Sequence, residues 1–235
     1  MSHLQIVTTA DGSNTIFNST VGENYHSRHG ALQESRHVFL ESGLKYFLKV
    51  SPTRVYHGEA PEPLEGASIL EVGFGTGLNF LLTAEYCIDQ NIPLQYTGIE
   101  AYPLTPEMIG RTGYDRYVPG NLWQQFIQHY EQALQKNIQI ENCELQIANC
   151  KLLEFDSDKK FDVIYFDAFA AIHQPEMWDE TAISHTLKFL NPGGVFVTYA
   201  ITGNLKRTIK SLGLKVEKAP GAPGKREMLR AVNAV

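Results

Sequence analysis

A doubly wound α/β fold, Rossmann-like and mostly parallel, with a small N-terminal strand-and-helix extension, is what three features of the sequence predict. From residue 67 onward, short apolar runs alternate with helix-length stretches. The first run ends in a glycine cluster, Gly73, Gly75 and Gly77, and the second ends in an acid, Glu100. Strands separated by helices pair in parallel through right-handed crossovers. Ligands then sit beyond the carboxyl ends of the strands, where the strand order reverses.

The elements follow in order. Gln5 to Thr9 and Asn14 to Phe17 read as a hairpin around Asp11-Gly12. Ser27 to Gly43 reads as a helix capped by Ser27 and stopped by Gly43. Prolines and glycines between Ser51 and Gly66 mark a linker, so residues 1–66 form an extension covering the site and residues 67–235 the main domain. Strands are then expected at Ser68 to Val72, Gln95 to Glu100, Glu144 to Ala148, Phe161 to Asp167 and Gly194 to Tyr199. Helices fall at Leu78 to Gln90, Asn121 to Lys136, Thr181 to Leu190 and Asn204 to Leu212, and late strands at Leu214 to Glu217 and Glu227 to Val232.

At 235 residues, 43% hydrophobic and 20% charged, the composition is that of a globular protein. No apolar run approaches the roughly 20 residues that cross a bilayer, and Met1 to Ala10 lacks the parts of a signal peptide. Cys87, Cys143 and Cys150 have no CxxC spacing, which fits a reduced, cytoplasmic protein. The net charge of −6 hides an asymmetry: from Ala200 to Val235 eight basic residues face two acidic ones. A basic segment on an acidic body can hold a polyanion locally.

The first strand end reads Leu70-Glu71-Val72-Gly73-Phe74-Gly75-Thr76-Gly77-Leu78-Asn79-Phe80. Glycines let the backbone turn sharply and approach a ligand closely. A dinucleotide fingerprint requires a third glycine where Leu78 stands. This E-x-G-x-G-x-G loop instead suits a nucleoside with an amino-acid tail and no phosphate. The loop resembles the first motif of class I methyltransferases, and that resemblance implies Glu71 near a sulfonium as counter-charge, with Gly73, Gly75 and Gly77 facing the methionine part. Glu100 can accept both hydroxyls of an unmodified ribose through its two oxygens. Asn149, at the third strand end, can accept from an adenine amino group.

The fourth strand runs into Asp167, Ala168 and Phe169, with Trp178 beyond. That edge faces the acceptor. Methyl transfer needs a neutral nucleophile in line with the methyl, so a carboxylate such as Asp167 is suited to take or orient an amine proton. Phe169 and Trp178 are candidates to flank a planar base or to be core, with core the preferred reading for Trp178. His26, His29 and His37 cluster without a matched acid pair, so no metal site is expected, and no G-x-S-x-G elbow is present.

Together, the segments Asn24 to Ser35, Glu71 to Phe80, Glu100 to Thr105, Phe166 to Trp178 and Gly224 to Leu229 resemble the methyltransferase domain of the bifunctional tRNA 5-methylaminomethyl-2-thiouridine biosynthesis enzymes. That resemblance implies a class I S-adenosylmethionine-dependent methyltransferase that methylates a 5-aminomethyl group on the wobble uridine of tRNA. It implies that Asp167 is the active-site acid and that Tyr25, Glu34 and Ser35 fold over the cofactor. S-adenosyl-L-methionine would be held by these residues with Glu71, Gly73, Phe74, Gly75, Gly77, Asn79, Glu100 and Asn149. Phe169, Trp178, Lys225 and Arg226 would face the tRNA substrate, with Arg28, Arg36, Lys45 and the basic tail on its phosphates. Two-domain relatives continue into a flavin-dependent oxidase where this sequence ends at Val235, which implies a separate upstream enzyme supplying the aminomethyl uridine. Departures from the family are Asn149, which stands where an acid is frequent, and Ala168, which stands where a glycine is. A small-amine methyltransferase or aminopropyltransferase on the same fold is the second reading, and a cofactor-binding regulatory subunit the third; the basic tail and the N-terminal signature speak for tRNA.

Overall fold

The computed structural model describes residues 3–50 and 66–233, so all of the expected linker except Gly66 lies outside the described residues. Strands β1 (Leu4–Thr8), β2 (Asn14–Asn18) and β3 (Glu23–Asn24) form a small antiparallel sheet. Helix α1 covers residues 31–50, and its middle section, Ser35–Lys45, is π-helical. The main domain follows with β4 (Ala67–Val72), α2 (Leu78–Asp89), β5 (Leu94–Ile99), α3 (Pro106–Gly110) and α4 (Gly120–Ala133). Next come β6 (Ile138–Ile140), β7 (Cys143–Ala148), β8 (Phe161–Phe166), α5 (Glu180–Leu187) and β9 (Leu190–Thr198). The last elements are α6 (Gly203–Ser211), β10 (Leu214–Pro220) and β11 (Glu227–Asn233).

The eight-stranded sheet has the order β10-β11-β9-β8-β4-β5-β7-β6. Its central strands β9, β8, β4, β5 and β7 are parallel, and β10, β11 and β6 pair antiparallel at the edges. From β4 the chain first builds outward through β5 and β7, then returns to lay β8 on the other side. The order therefore reverses between β4 and β8, and the crevice above their carboxyl ends is the expected binding place.

The pleat sorts side chains onto two faces. Ile69 joins a core with α1, α2 and α4, through Phe39, Leu44, Leu81 and Phe126. Leu70 and Val72 join a second core with α5 and α6, through Ile183, Leu187, Leu205 and Ile209. The sheet is thus covered on both sides, and α1 shares the first core with the main domain instead of lying apart from it.

Local differences from the sequence reading have physical causes. Ser27 is not the helix cap; Gly30 precedes the helix, and the Ser27 amide donates to Glu34 Oε2 at 2.8 Å. Gly43 does not stop the helix but lies inside it, where a Cβ would come within 2.8 Å of the Tyr165 ring. A glycine at such a crossing marks close approach rather than termination. Helix α3 was not apparent in the sequence, although Thr105 caps it and Pro106 starts it. Strand β10 extends through Pro220, which an edge strand tolerates because its missing N–H faces away from the sheet.

Candidate cofactor and acceptor site

Two cavities open at the carboxyl ends of β4, β5 and β8. The larger, about 930 Å³, is bordered by Gly73, Gly75, Glu100, Tyr102, residues 150–154 and Asp167. The smaller, about 340 Å³, is bordered by residues 22–28, Glu34, Asp167, Ala168, Phe169, Tyr199 and Lys225. Tyr25, His26, Asp167, Ala168 and Phe169 line both, and so form the wall between them.

The glycine loop is shaped by left-handed backbone at Gly73 (φ 85°), Gly75 (φ 53°) and Gly77 (φ 76°). A Cβ on Gly73 would lie 2.5 Å from the Asp167 carbonyl oxygen, so this glycine lets the β4 and β8 ends meet. Glu100 is anchored by two backbone donors: the Gly75 amide reaches Oε2 at 2.9 Å and the Tyr102 amide reaches Oε1 at 2.9 Å. Each oxygen retains acceptor capacity, so the carboxylate is preset to receive two ribose hydroxyls. Burial raises its pKa, partly offset by those amides. This cradle, roomy and phosphate-free in its donor set, fits S-adenosyl-L-methionine.

Asp167 sits at the wall, with its backbone amide tied to the Val72 carbonyl at 2.9 Å. Asn79 Nδ2 donates to Asp167 Oδ2 at 2.9 Å and to Glu71 Oε1 at 2.7 Å. Burial holds the Asp167 carboxyl well above the usual range, the neighbouring Glu34 charge raises it further, and the Asn79 bond opposes both. A carboxyl whose burial favours its neutral form is a candidate to exchange a proton with a bound group. His26 Nδ1 lies 4.0 Å from Asp167 Oδ2, and its Nε2 is 2.9 Å from Thr76 Oγ1. Burial brings the His26 pKa down to about 4, against a raising contribution from Glu34, so the ring is neutral at pH 7.

The smaller cavity is assembled from distant segments. Glu34 is 4% exposed; its Oε2 accepts from Ser27 N, and its Oε1 meets Lys225 Nζ at 2.7 Å. Lys225 also lies 3.9 Å above the Tyr199 ring, whose hydroxyl donates to the Ala168 carbonyl at 2.9 Å. Tyr25 and Phe169 meet edge to face at 5.1 Å. Burial, then the Glu100 charge, pushes the Tyr25 phenol up, so it stays protonated.

Several expected contacts are corrected. Glu71 borders neither cavity: the pleat turns it to the α1–α2 face, where Tyr96 donates to Oε2 at 2.7 Å. Burial raises its pKa, and it is a buried partner of Asn79 and Tyr96. Asn79 acts from behind Asp167, since it too lines neither cavity. Phe74 borders the larger cavity, but its ring packs among Phe80, Tyr96, Phe126 and Tyr130. Gly77 serves the packing of Phe126, whose ring a Cβ would meet at 2.6 Å. Ser35 is buried in α1 away from both cavities, and Glu34 faces the acceptor cavity, not the cofactor cavity.

Asn149 is exposed and borders neither cavity; after β7 the Cys150 amide folds back to the Ala148 carbonyl, and residues 150–154 form the floor instead. Trp178 is a support: its Nε1 donates to the Phe169 carbonyl at 2.7 Å and its ring packs on Phe166 and Tyr199. Lys225 enters the cavity while Arg226 is exposed outside it. The basic tail is partly paired internally, Lys215 and Arg230 with Glu217, and Lys218 with Glu227. Lys45 pairs with Glu41 and covers Tyr86, and Arg28 alone of the three N-terminal cations borders a cavity. The sequence reading did not assign site roles to Glu23, His26, Tyr102 or Tyr199. His26 follows Tyr25 inside the Asn24 to Ser35 segment, which is the available signal, and Glu23 lies just outside it.

A family profile described as S-adenosyl-L-methionine-dependent methyltransferase matches residues 118–234. The tRNA 5-methylaminomethyl-2-thiouridine biosynthesis bifunctional protein MnmC of Chromobacterium violaceum is 28% identical over 249 residues, covering 97% of this chain and 34% of that protein. The protein of the same name from Idiomarina loihiensis is 29% identical over 226 residues, covering 90% of this chain and 36% of its own length. The chain thus spans about a third of these relatives. A crystal structure of MNMC2 from Aquifex aeolicus superposes with a TM-score of 0.74 at 23% identity, over 98% of this chain and 70% of that one. The fold is that of class I methyltransferases. Among the described residues no helix is long and apolar enough to cross a membrane.

Proposed function

We propose that this chain, which matches an S-adenosyl-L-methionine-dependent methyltransferase profile over residues 118–234, methylates the 5-aminomethyl group of a wobble uridine, with or without 2-thiolation, in tRNA. The observation that carries the reading is the shared wall: one cavity suits a nucleoside, the other is lined by acids suited to a cation, and Asp167 faces both. The cofactor supplies an electrophilic methyl when bound. Glu100 and the glycine loop hold its sugar and tail. Asp167 takes a proton from the substrate ammonium, or orients the free amine with its lone pair toward the methyl. Tyr25 and Phe169 close the wall against water, which strengthens those electrostatic contacts.

Methylation consumes an amine already in place, so a separate reaction has to install the aminomethyl group on the uridine first; we assign it to another enzyme. Because tRNA is the substrate, the cytoplasm is the compartment of action. The test is incubation with labelled cofactor and tRNA carrying 5-aminomethyl-2-thiouridine, followed by nucleoside mass analysis. Appearance of the singly methylated nucleoside supports the reading. Label entering free polyamines instead would establish the small-amine alternative.

A further inference from the structure

We propose that Glu34 is the carboxylate that receives the substrate's ammonium, and that Lys225 occupies that place with its own ammonium until the substrate displaces it. The inference rests on the reading of the substrate as an amine. Its basis is chemical identity between the group seen in the cavity and the group expected there. Lys225 presents an alkylammonium to a buried carboxylate at 2.7 Å and to an aromatic face at 3.9 Å. A carboxylate and a ring face together are the environment that recognises a primary ammonium.

The two partners differ in how firmly they are held. Glu34 stands in the first turn of α1 with its second oxygen fixed by the Ser27 amide. Lys225 reaches in from the turn joining β10 and β11, and its side chain is 32% exposed. A lysine on a four-carbon stem can withdraw by rotating its side chain, without moving the turn. Emptying the position would leave a buried carboxylate unpaired, which is costly. An incoming ammonium removes that cost, so exchange of one cation for another is the low-energy route into the cavity. Glu23 and Asp167 line the same cavity, and of its lysines and arginines Arg28 is the other besides Lys225. Three carboxyl groups, Glu34, Glu23 and Asp167, therefore line the space the ammonium enters once Lys225 has left.

The test compares two anticodon stem-loops, one with uridine and one with 5-aminomethyluridine at the wobble position, binding the full chain in the presence of S-adenosylhomocysteine. The ratio of their dissociation constants isolates the contribution of the amine, because any contact of Lys225 with phosphate is common to both. In Lys225→Met the ratio should rise in favour of the amine by about tenfold or more, the scale of one charge-assisted hydrogen bond no longer contested. In Glu34→Gln it should fall toward one. An unchanged or reduced ratio in Lys225→Met overturns the proposal. The methionine variant changes a half-exposed side chain, and its melting temperature verifies folding. Methylation of the same amine-bearing stem-loop by the wild type separates the two claims. If it occurs without any binding preference for the amine, the exchange is wrong and the function stands; if it does not occur, both fall.

Discussion

The cofactor cavity and the acceptor cavity share a wall but are built in opposite ways. The glycine and acid cradle of the first is local: the glycine loop joins β4 to α2 and Glu100 follows β5, the adjacent strand, while residues 150–154 and the Tyr25–Phe169 wall complete the cavity around it. The second draws single side chains from the 22–28 segment, α1, the end of β8, the end of β9 and the β10–β11 turn. A local unit can be shaped by backbone conformation, as at Gly73 and Gly75. A composite cavity depends on side chains meeting across the fold, as Glu34 and Lys225 do over 191 positions of sequence. The difference predicts that damage on the cofactor side appears in binding, and damage at the wall appears in turnover.

The largest effect should come from the wall itself. Asp167→Asn keeps the shape and the contact to Asn79 but removes the proton acceptor, so single-turnover methylation should fall by about 10²–10⁴-fold. Calorimetry should find S-adenosylhomocysteine binding within a few-fold of the wild type. Equal losses in both would erase the division between the two cavities.

His26 offers a second measure at the same wall. Its folded pKa of about 4 lies below the ordinary 6.5, so the unfolded state takes up the proton first as pH falls. The stability gained by keeping the ring neutral is complete above about pH 6.5 and is lost as pH falls toward 4. The difference corresponds to about 3 kcal/mol. In urea melts, the deficit of His26→Asn relative to the wild type should therefore shrink by about that amount between pH 7 and pH 4. Asp167, Glu71 and Glu100, whose raised pKa values act in the opposite direction, are present in both proteins. A deficit independent of pH would mean that His26 is not held neutral by its surroundings.

On the cofactor side, Glu100→Ala should weaken S-adenosylhomocysteine binding about ten- to hundredfold, the scale of charge-assisted hydrogen bonds to the ribose. Turnover at saturating cofactor should fall much less. The backbone geometry here could be read in advance, since glycines and an acid at successive strand ends specify it within one unit. The strand and helix alternation was legible for the same reason. The direction of Glu71 was not, because the motif gives its position and only the pleat gives its face. Nor could the Glu34–Lys225 contact be found: each residue lies in a segment that carries the resemblance, but nothing local pairs two residues 191 positions apart. Trp178 reads in the sequence as either a flank for a planar base or, by preference, core, and its indole donates to the Phe169 carbonyl.

The smallest expected effect concerns the floor of the cofactor cavity. An asparagine after the third strand is chemically able to accept from an adenine amino group, yet Asn149 points to solvent while residues 150–154 border the cavity. The fold-back of the Cys150 amide onto the Ala148 carbonyl, at 3.0 Å, produces this shift by one position. Asn149→Ala should then change S-adenosylhomocysteine affinity by less than about twofold, since an exposed side chain that makes no contact with the ligand contributes little to binding. Leu153→Asp, which places a charge on the apolar floor beside Leu152, should weaken it by more than Asn149→Ala does. If the asparagine proves the more damaging of the two, the β7 end must rearrange when the cofactor binds, and the cofactor cavity is less preformed than its rigid glycine loop and anchored Glu100 suggest.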